Sequence, residues 1–77
     1  SIKGINFSAL FIEKDNFIKL SFRSKGQFPS NEFASLYFAG GGHLNASGGE
    51  YSDTLDNTIA YFLAVLKENV WRFEDNV

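Results

Sequence analysis

The sequence predicts a small α/β (α+β) fold: a small mixed sheet built on an N-terminal β-hairpin, covered by a short helix and a long C-terminal helix, with a Gly-rich loop between the helices. Three observations predict it. Two β-branched and aromatic runs, Ile5 to Ile12 and Phe17 to Arg23, flank the polar cluster Glu13-Lys14-Asp15-Asn16. From Leu55 onward, apolar residues recur at helical spacing. Between these regions, residues 40–49 hold five glycines. With 77 residues, 44% of them hydrophobic and 17% aromatic, the chain has material for one core and little room for a second, so residues 1–77 form one domain.

In the first hairpin, Ile18, Leu20 and Phe22 fall on one face and Lys19, Ser21 and Arg23 on the other, because strand side chains alternate with period two. Arg23 is therefore expected to point away from the core near the strand end. Ser24-Lys25-Gly26 breaks the pattern. Pro29-Ser30-Asn31-Glu32 then reads as a helix start, with Ser or Asn capping and an acid in the first turn. The helix is expected to reach about Phe38 and to cover the sheet with Phe33, Leu36 and Tyr37. After the glycine run, Glu50-Tyr51-Ser52 is expected to form a brief strand, and Asp53 or Thr54 to cap the last helix. That helix presents Leu55, Ile59, Phe62, Leu63, Leu66, Val70 and Phe73 to the core over about sixteen residues, roughly 24 Å, and turns Asp56, Asn57, Lys67 and Glu68 outward.

Composition excludes several classes of function. The absence of cysteine removes disulfides, thiolate metal sites and a cysteine nucleophile. A lone histidine, His43, among scattered acids does not supply a di-metal hydrolytic centre. No pair of carboxylates is spaced for acid–base work. A net charge of −2 argues against a sequence-blind duplex binder, yet the charge is unevenly placed. Residues 1–26 hold Lys3, Lys14, Lys19, Arg23 and Lys25 against Glu13 and Asp15, a net +3, whereas residues 27–77 carry a net −5. A local anion site in the N-terminal half fits this asymmetry. No run of about 18 apolar residues occurs, no membrane association is expected, and no leader pattern directs the chain out of the cytoplasm. The start at Ser1, leading straight into patterned sequence, is what a segment of a longer protein would show.

The run Gly40-Gly41-Gly42-His43-Leu44-Asn45-Ala46-Ser47-Gly48-Gly49 admits two readings. Glycines let several backbone N–H groups converge on a phosphate, helped by any helical turn opening near His43. Alternatively the run is a connector, with Gly40 as C-cap of the preceding helix. His43 can donate a hydrogen bond to a phosphate or offer a stacking plane, or it can simply be solvated. Arg23 has a planar fork suited to phosphate, and it can equally be a solvated strand arginine. Most phenylalanines occupy inward positions; Phe17, Phe28 and Tyr51 fall off the pattern and are candidates for base stacking, while Trp71 packs the end of the last helix.

Two segments in order, Ser21-Phe22-Arg23-Ser24-Lys25-Gly26 and Gly40 to Gly49, resemble the DHH-associated C-terminal domain of DHH-family phosphoesterases. The chain looks most like the branch of oligoribonuclease and pAp phosphatase enzymes labelled exopolyphosphatase-related, with its SxRS-type strand end and GGGHxxAAG-type loop. The resemblance covers about Ile5 to Gly49, and Ser47 departs from the family's usual alanine. It implies that this chain grips substrate, with Arg23 and Ser24 contacting a phosphate or base, the Gly40, Gly41 and Gly42 backbone cradling phosphate and His43 hydrogen-bonding it. It implies catalysis, and manganese, in an N-terminal DHH domain that partners this one; the chain alone is neither an enzyme nor a metal binder. The implied ligand is a short single-stranded RNA or a nucleotide phosphate. Three alternatives stand beside this reading. They are the domain of a single-strand exonuclease or cyclic-dinucleotide phosphodiesterase, an RNA-binding appendage like that of alanyl-tRNA synthetases (where arginine is typical at the position of His43), and a non-enzymatic interaction module pairing through its hairpin edge.

Overall fold

A computed structural model describes residues 6–74, with side chains described as far as Asn69. Its elements are β1 (Asn6–Glu13), β2 (Ile18–Lys25), α1 (Ser30–Tyr37), β3 (Gly41–His43), β4 (Ala46–Tyr51) and α2 (Leu55–Glu74). The α+β class and the N-terminal hairpin follow the sequence expectation, with each strand displaced by a residue or two. Among the described residues the strands form a sheet of order β1-β2-β4-β3. Every neighbouring pair is antiparallel, so the sheet is not mixed.

The largest departure from expectation is the glycine run. It is no loop: it folds as a second hairpin, β3 and β4, closed by Leu44 and Asn45. The glycines answer to close backbone approach. A Cβ on Gly40 would lie 1.9 Å from Gly48 O, and one on Gly49 2.6 Å from both Cβ and O of Phe38. The left-handed residue that ends α1 is Ala39, at φ 50°, and not Gly40. Ala34 O accepts the N–H groups of both Phe38 and Gly40, which splices the helix end to β3.

One sheet face carries the core and the other meets solvent, as antiparallel sheets allow. Ile18, Leu20 and Phe22 are buried on the core face and pack with Phe28, Phe33, Phe38 and Phe62. Phe28 is thus a core residue, only 2% exposed, and Tyr51 stacks on Tyr61 with ring centroids 4.4 Å apart, so neither is presented for base stacking. Phe17 is half-buried. Phe62 of α2 lies against Phe7, Phe11, Phe22, Phe33 and Phe38 and ties the long helix to sheet and short helix together.

Both helices are rotated relative to the expected stripes. In α1, Phe33 and Ala34 are buried while Leu36 is exposed; in α2, Thr58, Phe62, Val65 and Asn69 face inward while Ile59 and Leu63 face out. Thr58 is admitted because its hydroxyl donates to Thr54 O, and Asn69 because its amide donates to Tyr37 Oη and Val65 O. The helix spans 20 residues, longer than expected, and the side chains of Val70, Trp71 and Phe73 lie outside the described residues, as does Lys3. Thr54 caps α2, its Oγ1 accepting the Asn57 N–H, with the Asp53 carboxylate accepting from Thr54 N–H and Asn57 Nδ2. Those bonds, that to Asn57 first, hold the Asp53 pKa below its ordinary value. No helix of the described residues is long and apolar enough to cross a membrane.

Candidate functional site

Register assembles the candidate site. Arg23 pairs with Ala46 of β4, which pairs in turn with His43 of β3. Directly opposed residues of antiparallel strands share a face. Arg23 and His43 therefore stand on the solvent face about 10 Å apart, two strand spacings, with only a methyl group between them. The adjoining row is Ser21, Gly48 and Gly41, so the floor beside the two basic groups has almost no side chains. Lys19 and Lys25 share the outward face of β2 with Arg23. A cavity of about 360 Å³ at this end of the sheet is lined by Asn6, Ser8, Arg23, Lys25 and Asn45 among others. His43 and Arg23 are both exposed, and one Arg23 Nη donates 2.8 Å to Phe22 O, which anchors one edge of the guanidinium to the strand.

Ser24 sits differently. Its inward position on β2 buries the hydroxyl, which donates to Phe28 O at 2.8 Å and accepts from Asn45 Nδ2 at 3.0 Å. The residue next to Arg23 therefore closes the turn after β2 and does not offer its hydroxyl to the outward face.

The hairpin tip is held by a polar network within an otherwise phenylalanine-rich interior. Leu44 O accepts both the N–H and the Oγ–H of Ser30, at 2.8 and 2.9 Å. Ser47 Oγ donates to Ser30 Oγ at 3.0 Å, and the Ser24 N–H donates to Asn45 O, also at 3.0 Å. Ser30 was expected to cap α1, but Pro29 occupies the cap and no side chain bonds there, because the Ser30 hydroxyl is spent on the hairpin. Neither Asn45 nor Ser30 stood out as a site residue in the sequence. The signal available was Ser47, a hydroxyl where alanine is usual in the resembling family, and the network is its partner.

The three glycines that lead into and open β3, Gly40 to Gly42, divide by role. Gly40 is required by packing, and Gly42 has φ 145° with a Cβ position 2.7 Å from Ala46 O. Gly41 is neither: a Cβ there would meet nothing within 4 Å, and its φ is not positive. Its missing side chain opens the surface without serving the fold. Among the described residues no three His, Cys, Asp or Glu side chains come together in a way that could hold a metal ion. The described residues thus do not fit a manganese centre.

Compared with family models, residues 1–72 match that of the DHHA1 domain. The chain belongs to the DHHA1 family. DHHA1 domains are accessory domains of DHH-family phosphoesterases. A solved structure of an exopolyphosphatase-related protein from Bacteroides fragilis is similar to this DHHA1 domain at a TM-score of 0.84 and 42% sequence identity. The match covers 96% of this chain and 22% of that one, so the DHHA1 domain spans about a fifth of the relative's length. No curated protein was found to match in sequence.

Proposed function

We propose that this DHHA1 domain is the substrate-gripping part of a DHH-family phosphoesterase acting on short oligoribonucleotides or on pAp. The observation that carries the reading is the Arg23–Ala46–His43 row, which sets a guanidinium and an imidazole on either side of a small-residue floor. An anionic ester laid across that floor meets the Arg23 fork and the His43 ring, with the Lys25 ammonium beyond Arg23 on the same strand face, while Gly41 and Gly48 let it approach the backbone; Lys19, at the far end of β2, stands opposite Glu50. Ser24 contributes by fixing the turn behind Arg23. Cutting the ester, and any manganese it uses, belongs to the DHH domain that this domain would face.

Two charge-assisted contacts of about 1.5–3 kcal/mol each, with a few backbone bonds of about 1, are set against an association cost of at least about 4 kcal/mol. Millimolar to high-micromolar affinity for pAp or a short RNA follows for the 77-residue chain alone, with no hydrolysis on adding manganese. Titration followed by amide chemical shifts tests this. The Arg23→Ala, His43→Ala double variant is expected to lose at least tenfold in affinity while keeping its fold. Unchanged binding in that variant, or turnover by the pure chain, refutes the proposal.

One observation favours a second reading. β1 is a sheet edge among the described residues and lacks charge from Asn6 to Ile12, with Leu10 60% exposed, so it could pair with a strand of another chain. Self-association that depends on this hairpin, together with nucleotide binding indifferent to Arg23 and His43, would favour an interaction module.

A further inference from the structure

The row that carries Arg23 and His43 continues past Arg23. Ser8 of β1 pairs with Arg23, so Ser8, Arg23, Ala46 and His43 form one line across the four strands, about 14 Å from end to end. One step along the strands, Asn6 pairs with Lys25. Asn6, Ser8, Arg23 and Lys25 are all exposed on the outward face and mark the corners of a quadrilateral about 5 Å across the strands and about 7 Å along them. These four side chains border the cavity of about 360 Å³. Its floor is the backbone of Phe7 and Ser24, because both side chains turn the other way: the Phe7 ring packs on Phe28, and the Ser24 hydroxyl donates to Phe28 O.

Charge gives this hollow its sign. Arg23 and Lys25 lie two residues apart on one strand face, no carboxylate lines the cavity, and neither cation has an acidic partner among the described residues. Lys19, by contrast, faces Glu50 on β4. Two like charges so placed repel each other, and an anion seated between them relieves the repulsion and is attracted by both. The opposite wall supplies neutral donors. The Asn6 amide and the Ser8 hydroxyl make no side-chain hydrogen bond among the described residues, so both are available to oxygen atoms of a ligand. The bond from Arg23 to Phe22 O holds the guanidinium on the boundary between the hollow and the Ala46 floor.

We infer that the hollow between Asn6, Ser8, Arg23 and Lys25 is a second phosphate subsite, so that this domain selects ligands carrying two phosphate groups, one over the Ala46 floor and one beyond Arg23. The inference rests on the nucleotide reading and deepens it by naming the residues that recognise the second phosphate. The Lys25 ammonium and the Arg23 guanidinium neutralise that group, and the Asn6 Nδ2–H and Ser8 Oγ–H donate to its oxygens. Because the two subsites lie side by side on neighbouring strands, the sugar that joins the phosphates passes over Arg23, and the ligand runs across the strands and not along them.

Titration of the 77-residue chain with adenosine 5′-monophosphate, adenosine 3′-monophosphate and pAp, followed by amide chemical shifts, tests this. pAp is expected to bind at least about tenfold more tightly than either monophosphate and to shift Asn6, Ser8 and Lys25 together with His43. Lys25→Ala, and the Asn6→Ala, Ser8→Ala double variant, should each remove most of that advantage. Lys19→Ala, which deletes the same charge at the far end of β2, should preserve it. If pAp binds no more tightly than the monophosphates, or if Lys19→Ala and Lys25→Ala weaken it equally, the subsite is overturned; the proposed function survives where binding still needs Arg23 and His43. A pAp advantage that depends on Lys25, Asn6 and Ser8, with all the ligands indifferent to His43, upholds the subsite and overturns the Arg23–His43 floor instead. The side chains to be replaced are all exposed, and the wild-type comparison of affinities and shifted amides decides the matter even if a variant fails to fold.

Discussion

Adjacent glycines of this chain carry unlike duties, and substitution separates them. Gly40→Ala places a methyl group 1.9 Å from a carbonyl oxygen of β4 and is expected to cost at least about 3 kcal/mol in urea unfolding. Gly41→Ala meets no atom and should change stability by less than about 0.5 kcal/mol, yet its methyl group would stand on the open surface and weaken pAp binding. Equal losses of stability in the two variants would contradict this division. Ala39, held at φ 50°, should gain about 0.5–1 kcal/mol on replacement by glycine, read as a higher denaturation midpoint at constant slope. Asp53 gives a pH signature. Its folded pKa is depressed, so its contribution is present above the ordinary value of 3.8 and disappears as pH falls through the lower folded value. Amide protection at the start of α2, taken relative to the intrinsic exchange rate at each pH, should therefore fall at acidic pH, and Asp53→Ala should abolish that change in protection.

At the scale of elements, the β3–β4 hairpin depends on its serines. Ser30→Ala removes a hydroxyl donor to Leu44 O and strands the buried Ser47 hydroxyl, for an expected cost of about 1–3 kcal/mol. Ser47→Ala removes donor and side chain together, leaves the Ser30 bond to Leu44 intact and should cost about 1 kcal/mol or less. The double variant should cost less than the sum, and strict additivity would show that the two hydroxyls do not act together. Periodicity made β1, β2, α1 and α2 legible, because alternation in β2 and helical recurrence after Leu55 are local patterns. It misplaced the burial stripes, since Thr58 and Asn69 enter the core through hydrogen bonds that periodicity does not see. The second hairpin was illegible for another reason. Glycine signals freedom in a sequence, whereas Gly40 and Gly49 are there because two backbones cross too closely for any side chain.

Across the whole molecule, the candidate site was half legible. Arg23 and His43 could be named from motif order, and strand alternation placed Arg23 outward. That they share a row follows only from the pairing of both with Ala46, a long-range register no local pattern encodes. Ser24 could not be told from Arg23 as a contact residue until its hydroxyl was found turned inward. The short helix also has a role at this scale. Its first residue holds Leu44 at the hairpin tip, Ala34 holds Gly40 at the hairpin base, and Phe38 O accepts the Glu50 N–H. The hairpin is thus braced along its length against one rigid rod, and the rod is itself wedged into the aromatic interior. A receptor built this way arrives already shaped: a visiting nucleotide would find a mould and not a flap, and its docking should proceed in one kinetic step with no slow rearrangement behind it.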